Sequence, residues 1–99
     1  EQAVLGSLLV NPETLSRVVD LIKPEHFYRK AHQVICAAVI DLFEKNEPID
    51  IVTVGQFLKD QGSLDSVGGR QYLSDLAMSV ATTANVEYYA KLVTEKALL

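Results

Sequence analysis

The sequence predicts an all-α domain, a compact six-helix orthogonal bundle around a central helix. Apolar residues recur at helical spacing through most of the 99 residues, and the pattern breaks at each of the three prolines, Pro12, Pro24 and Pro48. Residues 28–45 are apolar nearly all round, and a helix of that kind is stable only when other helices surround it.

The first helix holds Val4, Leu5, Leu8 and Leu9 on one face. Asn11-Pro12 ends it and starts the second, with Asn11 as N-cap and Pro12 at the first helical position, where a missing N–H costs nothing. That second helix carries Leu15, Val18, Val19 and Ile22 and stops before Pro24. The third and central helix, residues 28–45, bears a stripe of Ala31, Val34, Ile35, Ala38, Val39, Leu42 and Phe43, which Cys36, Ala37 and Ile40 spread around the axis. Asn46 and Pro48 end it.

Asp50 then reads as the N-cap of a fourth helix that closes at Gly62, a residue suited to a left-handed C-terminal cap. Residues 51–54 (IVTV) carry strong β-propensity, but the cap and the Phe57-Leu58 continuation favour helix. Gly68-Gly69 makes a tight turn and opens a fifth helix with Tyr72, Leu73, Leu76 and Ala77. Residues 82–85 separate it from a sixth with Val86, Tyr89, Ala90 and Val93. This helix reaches Leu98-Leu99 without a capping residue, and the expectation is a domain excised from a longer polypeptide.

The expected core is Ala31, Ile35, Ala38, Val39 and Leu42, joined by Leu5, Leu8, Val18, Phe57, Leu73 and Leu76. Phe27, Tyr28 and Tyr89 are expected to anchor it as well, because aromatic rings bury the most surface per residue.

A hydrophobic content of 48% is enough for one core, and 22% charged residues argue against a disordered tail. Nine basic residues are scattered among thirteen acidic ones, giving a net charge of −4. That balance argues against direct nucleic-acid binding, which draws on a basic face. The single cysteine, Cys36, excludes an intramolecular disulfide and fits a cytoplasmic protein. No apolar run is long enough to span a bilayer, and no partner membrane is expected.

Catalytic constellations are equally sparse. A phosphate-cradling G-x-x-x-x-G-K-[ST] run is missing, and Gly68-Gly69 is followed by Arg70-Gln71. His32 and Cys36 share a helix face at the spacing of a metal pair or a Cys–His nucleophile. The other histidine, His26, lies on a different element, so Cys36 is read as a small packed hydrophobe and His32 as bonded to a neighbouring loop. Glu13, Asp20, Asp41, Glu44, Glu47, Asp60, Asp65 and Asp75 are scattered over polar helix faces and read as solvation rather than acid–base pairs. No catalytic, cofactor-binding or metal residue is expected.

Five blocks carry a resemblance across essentially the whole chain: residues 1–9 (EQAVLGSLL), 23–32 (KPEHFYRKAH), 47–53 (EPIDIVT), 67–73 (VGGRQYL) and 82–90 (TTANVEYYA). In order and spacing they resemble the N-terminal domain of the bacterial replicative DNA helicase, the DnaB family. Cys36 and Gly55 depart from what is typical of it.

The resemblance implies a single, non-catalytic N-terminal domain over residues 1–99, followed in the parent protein by a helical hairpin, a linker and an ATPase motor. It implies a hexamer in which these domains pair as dimers and form a collar, dock the C-terminal domain of primase, and meet a helicase loader. ATP and Mg²⁺ would serve the full-length protein only. The expected interaction residues are Arg70, Gln71, Tyr72, Tyr88, Leu98 and Leu99. Arg70 and Gln71 should be exposed at the start of the fifth helix, and Tyr72 either anchors a partner or belongs to the core. A free-standing all-α adaptor sharing this fold is the alternative.

Overall fold

Six α-helices appear among the described residues, which in this computed structural model are 2–79 and 86–98, without the side chains of 86–89 and 98. They are α1 (Gln2–Val10), α2 (Leu15–Val18), α3 (Lys30–Glu44), α4 (Ile51–Asp60), α5 (Gly69–Met78) and α6 (Val86–Leu98). Three 3₁₀ turns, Pro12–Thr14, Pro24–His26 and Asp65–Val67, join them, and no strand occurs among the described residues.

Local chemistry sets the boundaries. At α4, Asp50 Oδ1 accepts the Thr53 N–H at 2.8 Å, and Thr53 Oγ1 accepts the Asp50 N–H at 2.9 Å. This reciprocal capping box decides residues 51–54 for helix despite their β-propensity. The same helix ends at Gly62, φ 74°, where the Ser63 N–H reaches the Leu58 carbonyl at 2.8 Å and the Gly62 N–H reaches Lys59 at 3.0 Å. Asn46, φ 58°, closes α3 in the same way, with the Glu47 N–H on the Leu42 carbonyl at 2.9 Å. Gly68 turns the chain into α5 at φ 104°, and a Cβ there would stand 2.9 Å from the Tyr72 Cβ. Position 68 therefore needs glycine on two counts.

The second helix differs from expectation. Pro12 starts a 3₁₀ turn, the α-helical part ends at Val18, and Ile22 is buried from the turn that follows. Asn11 makes no side-chain cap bond; its backbone carbonyl accepts the Thr14 N–H at 3.0 Å and the Thr14 hydroxyl at 2.8 Å. Buried Thr14 thus satisfies its own oxygen locally.

The core lies where α1 meets α3, α5 and α6, with α4 closing the side between α3 and α5. α1 buries six consecutive residues, from Val4 to Leu9, and among them the Ser7 hydroxyl bonds back to the Ala3 carbonyl at 2.7 Å. α3 buries His32, Ile35, Cys36, Ala38, Val39 and Leu42 on one face, while Ala37 on its back is exposed. Two expected core members, Ala31 and Phe57, are only partly buried; Phe57 lies at the rim, with the Lys45 ammonium 5.5 Å from its ring centre. α6 is tied to the turn that follows α2 by the Thr94 hydroxyl, which donates to the Leu21 carbonyl at 2.9 Å.

Candidate protein-interaction surface

Helix α5 opens at Gly68-Gly69 and presents Arg70 and Gln71 to solvent, as the sequence leads one to expect. Gln71 Nε2 donates to Asp75 Oδ1 one turn on, at 2.9 Å, which fixes its amide along the helix surface. Arg70 lies across α4. A Cβ added at Gly55 would come within 2.8 Å of Arg70 Nε, so the bare backbone of Gly55 is the bed for this side chain. A side chain at position 55 would push Arg70 off α4, whereas glycine there costs helix propensity of up to ~1 kcal/mol. Arg70 then lines an open hollow of about 280 Å³ with Lys59, Gly62, Leu64 and Asp65.

Tyr72, one step on, faces inward and outward at once. Its ring is half-buried against the core. Its hydroxyl lies 2.6 Å from Nε2 of His32, which is 1% exposed on α3, and the two rings are nearly parallel. Arg29 completes the group, with NH1 donating to the Tyr72 hydroxyl at 3.5 Å and its guanidinium 5.8 Å from the ring centre. Phe27 meets His32 edge-on, with centroids 6.5 Å apart. One partner of His32 is therefore on a helix, Tyr72 of α5, where the sequence reading offered a neighbouring loop. The 32, 35, 36, 39 spacing put His32 on the buried face, where an imidazole needs a polar partner; which residue would supply it was not encoded locally.

Tyr28 corrects a second expectation. It is not in α3, which starts at Lys30, and it is not core: it is 93% exposed. Phe27, ψ 138°, leaves the Pro24–His26 turn extended, and the chain bends at residues 28 and 29 before α3 begins. Phe27 takes the core at 2% exposure and Tyr28 is turned out. Tyr28 borders a hollow of about 530 Å³ with Glu25, His26, Phe27, Lys96 and Ala97, at the end of α6. The other interaction residues expected from the sequence, Tyr88, Leu98 and Leu99, and the expected anchor Tyr89, have side chains outside the described residues.

Cys36 is buried, and burial, with the Glu25 carboxylate adding to it, pushes its thiol from 9.0 up to about 12. A thiol held protonated is no nucleophile. Because the folded state holds this proton more tightly than the unfolded chain, its contribution to stability is complete below pH 9 and is lost as pH rises towards 12. Raising the pH from about 8 to about 10.5 should therefore cost the wild type more stability than Cys36→Ala, read from urea midpoints. Equal losses would show that Cys36 ionises as freely in the fold as outside it. No group of three or more His, Cys, Asp or Glu among the described residues could hold a metal ion, and no helix there is long and apolar enough to cross a membrane.

Comparison with known proteins agrees with this architecture. Residues 1–95 match the family described as DnaB-like helicase N terminal domain. The chain is 46% identical over all 99 residues to the replicative DNA helicase DnaC of Bacillus subtilis, and 45% identical over 98 residues to the replicative DNA helicase DnaB of Rhodothermus marinus. It spans 22% and 10% of those two proteins. Among solved structures, the N-terminal domain of DnaB helicase from Mycobacterium tuberculosis superposes with a TM-score of 0.94 at 43% identity, over 98% of this chain and 69% of that one. A structure described as that of a DnaB-like replicative helicase and its interactions with primase superposes with a TM-score of 0.86 at 33% identity, over 97% of this chain and 22% of that one. With residues 1–95 matched by the family model and 98% of the chain superposed on a member's structure, the chain belongs to the DnaB-like helicase N-terminal domain family.

Proposed function

We propose that this domain is a non-catalytic assembly and docking module of a replicative ring helicase. In the intact protein a helical hairpin, a linker and an ATPase motor accompany it, and ATP and Mg²⁺ belong to that motor. The domain pairs with a second copy, the pairs form a collar on the hexamer, and the collar receives the C-terminal domain of primase; a helicase loader is a further partner. The work is that of a cytoplasmic DNA-replication protein.

The observation that carries this reading is the superposition of 97% of the chain on a helicase structure that concerns primase interactions. The acidic balance supports protein rather than DNA as the contact of this domain. Arg70 and Gln71, exposed and pre-positioned at the start of α5, are the residues proposed to touch primase, with Tyr72 behind them as their support. Tyr88, Leu98 and Leu99 extend the proposed surface.

Calorimetry on the intact helicase tests it. Arg70→Glu combined with Gln71→Ala should weaken binding of the primase C-terminal domain about tenfold or more, while leaving the melting temperature nearly unchanged, because neither side chain is in the core. Unchanged affinity in a well-folded hexamer would remove the start of α5 from the docking surface.

A further inference from the structure

Outside α5 the most conspicuous surface feature is Tyr28. We propose that Tyr28 and the cations around it form a second docking surface, built for an acidic, extended segment of a partner protein. This inference rests on the reading of the domain as a docking module, but it requires neither primase as the partner nor α5 as the site.

Charge is the first argument. The chain carries −4 overall, yet four of its nine cations, Lys23, Arg29, Lys30 and Lys96, gather about Tyr28 by sequence or across the hollow, against one carboxylate, Glu25. All five of these side chains are exposed. An anionic segment is repelled by most of this domain and attracted here, which gives selectivity as well as affinity. The N-terminal end of α3, whose N-cap Arg29 supplies no side-chain cap bond, adds partial positive charge on the same side.

Shape and rigidity are the second. Tyr28 stands 93% exposed beside a hollow of about 530 Å³, floored in part by buried Phe27. An amphipathic ring bordering a hollow with Lys96 across it, and with Arg29 and Lys30 next to it in the chain, has the composition of an interface anchor. The segment that presents it is held at both ends. Gln33 Nε2 donates to the Phe27 carbonyl at 2.8 Å, and the Arg29 guanidinium rests over the Tyr72 ring. A partner therefore meets a pre-formed surface and incurs little ordering cost on this side. Because Arg29 rests on Tyr72, the Tyr28 surface is continuous with the start of α5.

Fluorescence anisotropy on the full-length protein tests the proposal with a labelled pentapeptide of two acidic residues on each side of a phenylalanine. The peptide should bind, and should bind more weakly as salt is raised from about 50 to about 300 mM. Tyr28→Ala and Lys96→Glu should each weaken it about tenfold or more, and Glu25→Gln should tighten it about two- to fivefold by removing the opposing carboxylate. Melting should be unchanged in all three, since each side chain is exposed.

Absence of binding, or binding indifferent to Tyr28→Ala and Lys96→Glu, would overturn the proposal. So would equal displacement of the peptide by single-stranded oligothymidylate, which would make the surface a base-stacking platform. A wild-type full chain in which Tyr28 is already covered, by a second copy or by another part of the same polypeptide, would bind no peptide and would overturn it equally. Binding of the primase C-terminal domain is measured on the same samples. If primase binds and the peptide does not, only this inference falls; if the peptide binds and primase does not, only the primase reading falls.

Discussion

Ile35→Ala is expected to lower the free energy of unfolding by ~2–5 kcal/mol, the range for removing a large aliphatic chain from a close-packed core. Ile35 is 0% exposed and belongs to the core cluster with Leu5, Leu8, Val39 and Leu73. The loss has two parts: the transfer free energy of the deleted methyl and methylene groups, and the cavity left because helices cannot fully collapse onto it. A domain of this size has about 5–15 kcal/mol in total, so the midpoint should fall by roughly 4–8 °C for each kcal/mol lost. Urea and thermal unfolding of wild type and variant would measure it. A change under about 1 kcal/mol would mean that α3 is packed far more loosely than its burial indicates.

Tyr72→Phe should cost about 1–3 kcal/mol although it deletes one oxygen. The hydroxyl lies 2.6 Å from Nε2 of His32, and that imidazole is 1% exposed. Without the hydroxyl, a buried nitrogen on α3 loses its partner on α5 and keeps the desolvation penalty. Tyr72→Ala should cost more, because it also removes a half-buried ring from beneath the Arg29 guanidinium. A double-mutant cycle with His32→Leu separates pairing from packing. The loss in the double variant should fall short of the sum of the single losses by about 0.5–3 kcal/mol. Strict additivity would show that the two rings are neighbours without being partners. On this reading Tyr72 is chiefly a structural support for the surface at Arg70 and Gln71, and Tyr72→Ala would weaken docking partly through the fold.

Much of the architecture was legible in the chain itself. The helical period of α1, α3, α4 and α5, the Asp50 cap, the closing roles of Asn46 and Gly62, and the turn at Gly68 that opens α5 all depend on residues within about a turn of one another, and local chemistry of that kind is written in the sequence. Exposure of Arg70 and Gln71 followed from the same period. The shortened α2 was harder to see, because Pro12 and Thr14 build a 3₁₀ turn that apolar spacing alone does not distinguish from a first helical turn. Gly55 read only as a departure from what is typical of the family, and Arg70, fifteen positions later, lies on it.

Sequence by itself determined the all-α class, the order of the helices and the family to which the chain is related. Tertiary structure alone decided which aromatic ring is core and which is surface. Phe27 and Tyr28 are adjacent and similar in size, yet Phe27 is 2% and Tyr28 93% exposed. The way the segment between the Pro24–His26 turn and α3 packs on the core decides which of them faces inward. Periodicity names a face but not what stands opposite it, so packing decided both the burial of His32 and its partner forty residues away on α5. The surface at Tyr28 arose in the same way: the 23–30 segment and the last turn of α6 are distant in the chain, and packing of α6 against the Pro24–His26 turn brings Lys96 to the hollow beside the exposed ring.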